Sequence, residues 1–334
     1  MQLPRDRGRS RLEWLGGYPT LVLLGTLVLV VLAFVLISDT FAQERTFGTI
    51  LRSSAWIAVI AVTTTIALAT GAVDFSIMST AALSGIVAAA LSAAFSPFVG
   101  IPVALLAGAA VGLANALFVV RLGVNPFLAT LVMAGVIRGL DFALGQGTRG
   151  VRVDDWFMDD ILPAELGPIP AAFAVSMLVA VAATVILDRT RAGREMLAVG
   201  GNPAAARLAG IPASRLTALA YVISGMGAAM GGILLASRLG AGIPASGTGQ
   251  ELTLFSAILI AGTPLWGGRA NVMGSVVAII LLTTFYTGLV LSGFPDRLQQ
   301  IGSGLLLLFS IWLVARRSEG RPLLRLRLRR ASHA

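Results

Sequence analysis

Apolar residues fall in long uninterrupted runs along this chain, not at the short periods of elements that keep one face in water. The first run, Thr20–Ile37, is 18 residues long. Further runs lie near 51–70, 77–95, 98–120, 126–145, 169–187, 217–236, 252–266, 271–292 and 297–315. A helix needs about 20 apolar residues to cross hydrocarbon about 30 Å thick. The pattern therefore predicts an all-α membrane protein of about ten transmembrane helices, with 252–266 the shortest. The first run is long for a secretory leader, and Thr40-Phe41-Ala42 is a weak cleavage sequence, so an uncleaved anchor is expected.

The segments between the runs set the orientation. Residues 1–19 carry four arginines against Asp6 and Glu13. Segment 146–168 carries Arg149 and Arg152 against Asp154, Asp155, Asp159, Asp160 and Glu165. Segment 188–216 has five arginines, and the tail 316–334 has seven against Glu319. Arginine-rich segments stay on the cytoplasmic side. Parity over ten spans agrees with the charge on every segment. Both termini and 188–216 are expected to be cytoplasmic, and 146–168 periplasmic.

Composition narrows the chemistry. Hydrophobic residues make up 56% of the chain and charged residues 12%, too few charges to coat a water-facing domain. All 25 basic residues are arginine, there is no cysteine, and the single histidine is His333. Without lysine the chain cannot build a P-loop, and without cysteine or an internal histidine it lacks a thiolate or imidazole site. The net charge of +9 sits in loops and tails beside apolar runs, which points to membrane orientation and not to nucleic acid.

Two kinds of feature remain as candidates. The first is the basic loop, where Asn202 can cap a helix beginning at Pro203; Ala204, Ala205 and Ala206 favour that helix, and Gly210 can end it. The alanines make a smooth face suited to another protein's groove. The second is the set of polar residues in or beside the runs, each a functional candidate because burial in lipid is costly. Asp74 sits where two runs meet at an expected break, and Glu251 opens the eighth run, five runs later. This placement fits an inverted five-plus-five repeat with broken helices near its centre. Arg138 and Asp141, three apart on one helix, are placed to pair. Gly108 with Gly112, and Gly227 with Gly231, suit close helix packing within one chain.

The stretch GREMLAVGGNPAAARLAGI (193–211) resembles the cytoplasmic coupling loop of the sugar-type ABC importer permeases, the ribose/xylose/galactose group. GAVDFSIMSTAALSG (71–85), VNPFLATLVMAGVIRGL (124–140) and GTGQELTLFSAILIAGTPLWGGRANVMGS (247–275) resemble three more of that family's segments, in the family's order. The resemblance covers about residues 50–315. Gln250, Thr253 and Ala270-Asn271 depart from its pattern, which bears on the substrate and not on the transport role.

By resemblance, residues 20–315 form a permease domain in a bacterial inner membrane. It would pair with a second copy or a homologue, a cytoplasmic ABC ATPase and a periplasmic solute-binding protein. ATP and magnesium would then be held by the ATPase, with no cofactor on this chain. Gly200, Gly201, Asn202, Ala204, Ala205, Ala206 and Gly210 would form the coupling element. Asp74, Ser76, Asn115, Asn125, Thr130 and Glu251 are candidates for the path, and a monosaccharide or related polyol is the expected solute. Permeases of the same family for a signalling molecule, a nucleoside or an amino acid are the near alternatives. An ion-coupled carrier would use Asp74 and Glu251 as its carboxylates. A lipid-modifying enzyme would need a histidine, cysteine or metal cluster that the sequence does not offer.

Overall fold

The computed structural model describes residues 19–153, 164–167 and 169–295, with isolated positions between 301 and 308. Eight helices among the described residues are long and apolar enough to cross a membrane. They are α1 (Pro19–Ile37), α2 (Glu44–Ala69), α3 (Ile77–Ala94), α4 (Pro97–Ala116), α5 (Pro126–Leu144), α6 (Ala171–Arg189), α9 (Ala213–Leu239) and α11 (Val272–Leu291). A π-helical turn, Leu117–Arg121, prolongs α4. Two helices in the basic loop, α7 (Arg191–Gly201) and α8 (Pro203–Leu208), and a short apolar helix α10 (Gln250–Ile260) complete the set. Apart from those isolated positions, the expected span 297–315, both terminal segments, and Asp154, Asp155, Asp159 and Asp160 lie outside the described residues.

Helices α2 and α9 are the two longest and form the centre, α9 packing on α2, α3 and α4. Glycine makes those contacts possible. A Cβ at Gly108 would stand 2.3 Å from the carbonyl oxygen of Gly225, and one at Gly112 2.3 Å from that of Tyr221. A Cβ at Gly232 would stand 1.9 Å from the Ala81 oxygen, and Gly227 and Gly231 face Thr63 and Ile60 of α2. The small-residue pairs of the sequence thus pack within the chain. Bare backbone lets helices approach where lipid supplies no hydrophobic drive. Thr63, Thr64 and Thr65, buried in α2, donate to carbonyls one turn back, which satisfies their hydroxyls inside the helix.

Outer helices carry their large apolar side chains outward: Leu128, Leu131, Val132 and Val136 on α5, and Leu178, Val181 and Val185 on α6. Such exposure is costly in water and natural against lipid or a second membrane subunit. Helix α1 leans on α11 through Phe34, whose ring lies 6.0 Å from that of Phe285.

Two expectations need correction. Residues 252–266 do not form one helix: α10 ends at Ile260 and spans only about 16 Å of helix rise. Gly262, Gly267 and Gly268 then take positive φ around Pro264, so the chain runs irregularly to α11. Nor do Arg138 and Asp141 pair. Arg138 Nη2 lies 3.9 Å from Glu251 Oε1, while the buried Asp141 carboxylate has no hydrogen-bond partner among the described residues.

Candidate functional site

The basic loop folds into two consecutive helices at the end of α6. Thr190 caps α7 by accepting from the Gly193 N–H at 3.1 Å. A Cβ at Gly193 would stand 2.3 Å from the Ile186 oxygen, so glycine permits the sharp return from α6. Met196 and Val199 are buried and join a cluster with Val62, Ile66 and Ala69 of α2. One face of α7 is thereby fixed to the membrane bundle. Asn202 caps α8 through Oδ1, accepting from Ala204 N at 3.1 Å and Ala205 N at 3.0 Å. Gly210 takes φ +78° just after the helix ends, a backbone that favours glycine.

Ala204 and Ala205 lie exposed beside the equally exposed Gly201. Ala206 turns inward and packs in the same cluster as Ala213 and Leu216. The three alanines therefore do not share one outer face. Leu208 replaces Ala206 on the outside: its side chain is 92% exposed at the tip of the loop. The sequence signal for it was a large apolar residue in an arginine-rich loop.

The break between α2 and α3 carries the second set. Asp74 is 2% exposed and saturated with donors. Its Oδ1 accepts from Ser76 N at 2.9 Å, Ser76 Oγ at 2.6 Å and Asn115 Nδ2 at 3.2 Å, and its Oδ2 accepts from Ser224 Oγ at 3.1 Å. Asn115 Nδ2 also donates to Ser76 Oγ at 2.8 Å. Tyr221 of α9 donates its hydroxyl to the Val73 carbonyl at 3.2 Å, and Thr130 Oγ1 of α5 accepts from Phe75 N at 3.1 Å. One irregular segment, 70–76, is thus tied to α4, α5 and α9 through side chains that replace its missing helical bonds. Buried irregular backbone is tolerated only with such partners.

Phe75 leaves this hub toward α5 and α10. Its ring lies 5.0 Å from that of Phe127 and 4.8 Å from that of Phe255. Asp74, Ser76 and Asn115 are therefore joined directly, and Thr130 lies one residue away. Asn125 stands apart, capping α5 through bonds from Phe127 N and Leu128 N. Glu251 also stands apart: it accepts from Gly249 N at 2.7 Å and faces Arg138. Sequence reasoning missed Ser224, Tyr221 and the two phenylalanines, because each reaches the hub from a distant element.

The family model described as branched-chain amino acid transport system / permease component matches residues 46–311. The chain is 35% identical over 305 residues to the L-arabinose ABC transporter permease protein of Azospirillum brasilense, covering 91% of this chain and 88% of that one. Against the ribose import permease protein of Escherichia coli K12 it is 31% identical over 297 residues, 86% of this chain and 91% of the relative. Against the galactofuranose transporter permease protein of the same strain it is 33% identical over 306 residues, 88% of each chain. No solved structure matches the chain.

Proposed function

We propose, from the premise that this chain belongs to the branched-chain amino acid transport system / permease component family, that it is the transmembrane subunit of an ATP-driven importer for a monosaccharide or related polyol. The observation that carries the solute class is the alignment of arabinose, ribose and galactofuranose permeases along 86–91% of the chain. The family description names branched-chain amino acids, but all three of these relatives are named for sugars. The buried Ser76, Ser224, Thr130 and Asn115 bond within the chain and so hold the 70–76 segment in place beside any path.

On this reading two permease copies, or one and a homologue, enclose the path. A cytoplasmic ATPase receives α8 in a groove, and a periplasmic binding protein delivers the solute to the opposite face. ATP and magnesium belong to the ATPase. Gly201, Ala204, Ala205 and Leu208 meet it, while Gly200, Asn202, Ala206 and Gly210 hold the shape of that surface. Asp74 is a positioning residue: a carboxylate already accepting four hydrogen bonds has little capacity left for a coupling ion. That saturation favours an ATP-driven carrier over an ion-coupled one.

The solute class is tested by uptake in proteoliposomes carrying the permease, ATPase and binding protein, with labelled arabinose, ribose and galactose and with labelled leucine. Uptake of at least one sugar, not reduced by excess leucine, is expected. Leucine uptake without any sugar uptake would replace this reading with an amino-acid importer.

Orientation has a separate test, made simple by the absence of native cysteine. Ala164→Cys is expected to react with an impermeant thiol reagent in whole cells, and Ala204→Cys only after the membrane is opened. Labelling of Ala204→Cys from outside would invert the topology.

A further inference from the structure

The surface of α7–α8 and the Asp74 segment are joined by a contact made almost wholly of glycine backbone. A Cβ at Gly200 would stand 2.0 Å from the Ala69 carbonyl oxygen and 2.5 Å from Gly268 N. One at Gly267 would stand 2.7 Å from Gly71 N and 2.8 Å from the Gly200 Cα, and one at Gly268 2.8 Å from the Gly201 Cα. Gly268 N donates to the Ala69 oxygen at 3.1 Å, closing the contact with a hydrogen bond. Gly71, Gly267 and Gly268 all have positive φ, between +81° and +89°, so side chains are excluded there by conformation as well as by space.

Three separate parts of the chain meet here: the end of α7, the end of α2, and the irregular segment before α11. Three residues beyond Gly71 lies Asp74, hydrogen-bonded to Ser76 just before α3 and to α4 and α9, and next to it Phe75 lies between Phe127 and Phe255.

We infer that Gly71, Gly200, Gly267 and Gly268 form a rigid strut that carries the ATPase-driven displacement of α7–α8 to the 70–76 segment, and so to Phe75 between α5 and α10. Backbone packed on backbone leaves no rotamer to absorb a push. A displacement of α7 must therefore move the break as well, or tear the hydrogen bond. Flexible side chains at the same place would dissipate small shifts. Gly200 is accordingly a positioning residue, acting on the path through Gly71 and Asp74 without touching solute. The inference rests on the importer reading above.

The test compares Gly200→Ala with Gly48→Ala, the same change where nothing lies within 4 Å. Both are assayed in complexes with the ATPase and solute-loaded binding protein. Gly200→Ala is expected to assemble with the ATPase and the binding protein. Stimulation by the binding protein should be lost, and uptake should fall by about an order of magnitude or more. Gly48→Ala should behave as wild type. Normal stimulation and uptake in Gly200→Ala would overturn the strut.

If Gly200→Ala does not assemble, hydrogen exchange of the wild-type complex decides, with and without ATP and vanadate. Protection of the Gly268 amide should be unchanged by trapping, because the strut moves as one body. A rise in its exchange of about tenfold or more on trapping would show the contact coming apart and would overturn the inference. Failure of the importer reading looks different, because wild type itself would then show no ATP-dependent uptake.

Discussion

Ala205→Glu is expected to abolish uptake while the permease remains folded and inserted at its normal level. Ala205 is exposed, so the new side chain meets no neighbour within the chain. The local helix favours it. Asn202 is the cap of α8, which places position 205 in the first turn, where a carboxylate is stabilised by free N–H groups and by the helix dipole. Any loss must therefore arise where α8 meets its partner. A charge buried in a closely fitted groove without a counter-ion costs about 2–5 kcal/mol, or roughly 30- to several-thousand-fold in coupling. Binding-protein-stimulated ATP hydrolysis should fall with uptake, while membrane level and detergent stability stay at wild-type values. Full uptake by this variant would remove α8 from the coupling surface.

Asp74→Ala is expected to be the most damaging single change inside the bundle. It strips the acceptor from Ser76 N, Ser76 Oγ, Asn115 Nδ2 and Ser224 Oγ at once. Each buried donor left without a partner costs about 1–3 kcal/mol, and a single domain has only about 5–15 kcal/mol in hand. The variant should lose its folded yield or unfold well below wild type in detergent. Asp74→Asn should do far better. Its Oδ1 keeps the three bonds toward Ser76 and Asn115, and its Nδ2 can donate to Ser224, whose hydroxyl accepts as readily as it donates. Partial uptake, still dependent on ATP, is expected of Asp74→Asn. Equal and complete loss in both variants, with normal folding, would assign the charge itself a role in transport.

Features governed by neighbouring residues were legible in the sequence. Asn202-Pro203 announces a capped helix start by local chemistry, and α8 begins there, with Ala204 N and Ala205 N donating to the Asn202 side chain. The break at Asp74 follows from Gly71 and from a carboxylate two residues before a hydroxyl. By contrast, α7 was hidden by its glycines at 193, 200 and 201, which lower helix propensity. Tertiary burial of Met196 and Val199 decides that helix, and only their three-residue spacing hinted at it.

Long-range features were not legible. Ser224 reaches Asp74 across 150 residues, and no local pattern marks it among the other serines of the spans. Composition also cannot separate a membrane helix from irregular backbone held by protein. Residues 252–266 read as one apolar run, yet the helix ends at Ile260: Gly262 takes positive φ, Pro264 has no N–H to donate, and Asn271 Nδ2 satisfies the freed Ala261 carbonyl. Arg138 illustrates the same limit. Spacing allowed a bond to Asp141, while the fold brought Glu251 into reach.

The central claim is that the chain moves its solute only when a partner hydrolyses ATP. The most direct measurement is solute uptake by vesicles reconstituted with the permease alone and with its ATPase and binding protein. Each is driven either by ATP or by an imposed proton or sodium gradient. Uptake should occur only in the three-component vesicles and only with ATP, with neither gradient replacing it. Gradient-driven uptake by vesicles holding this chain without the ATPase would contradict the claim.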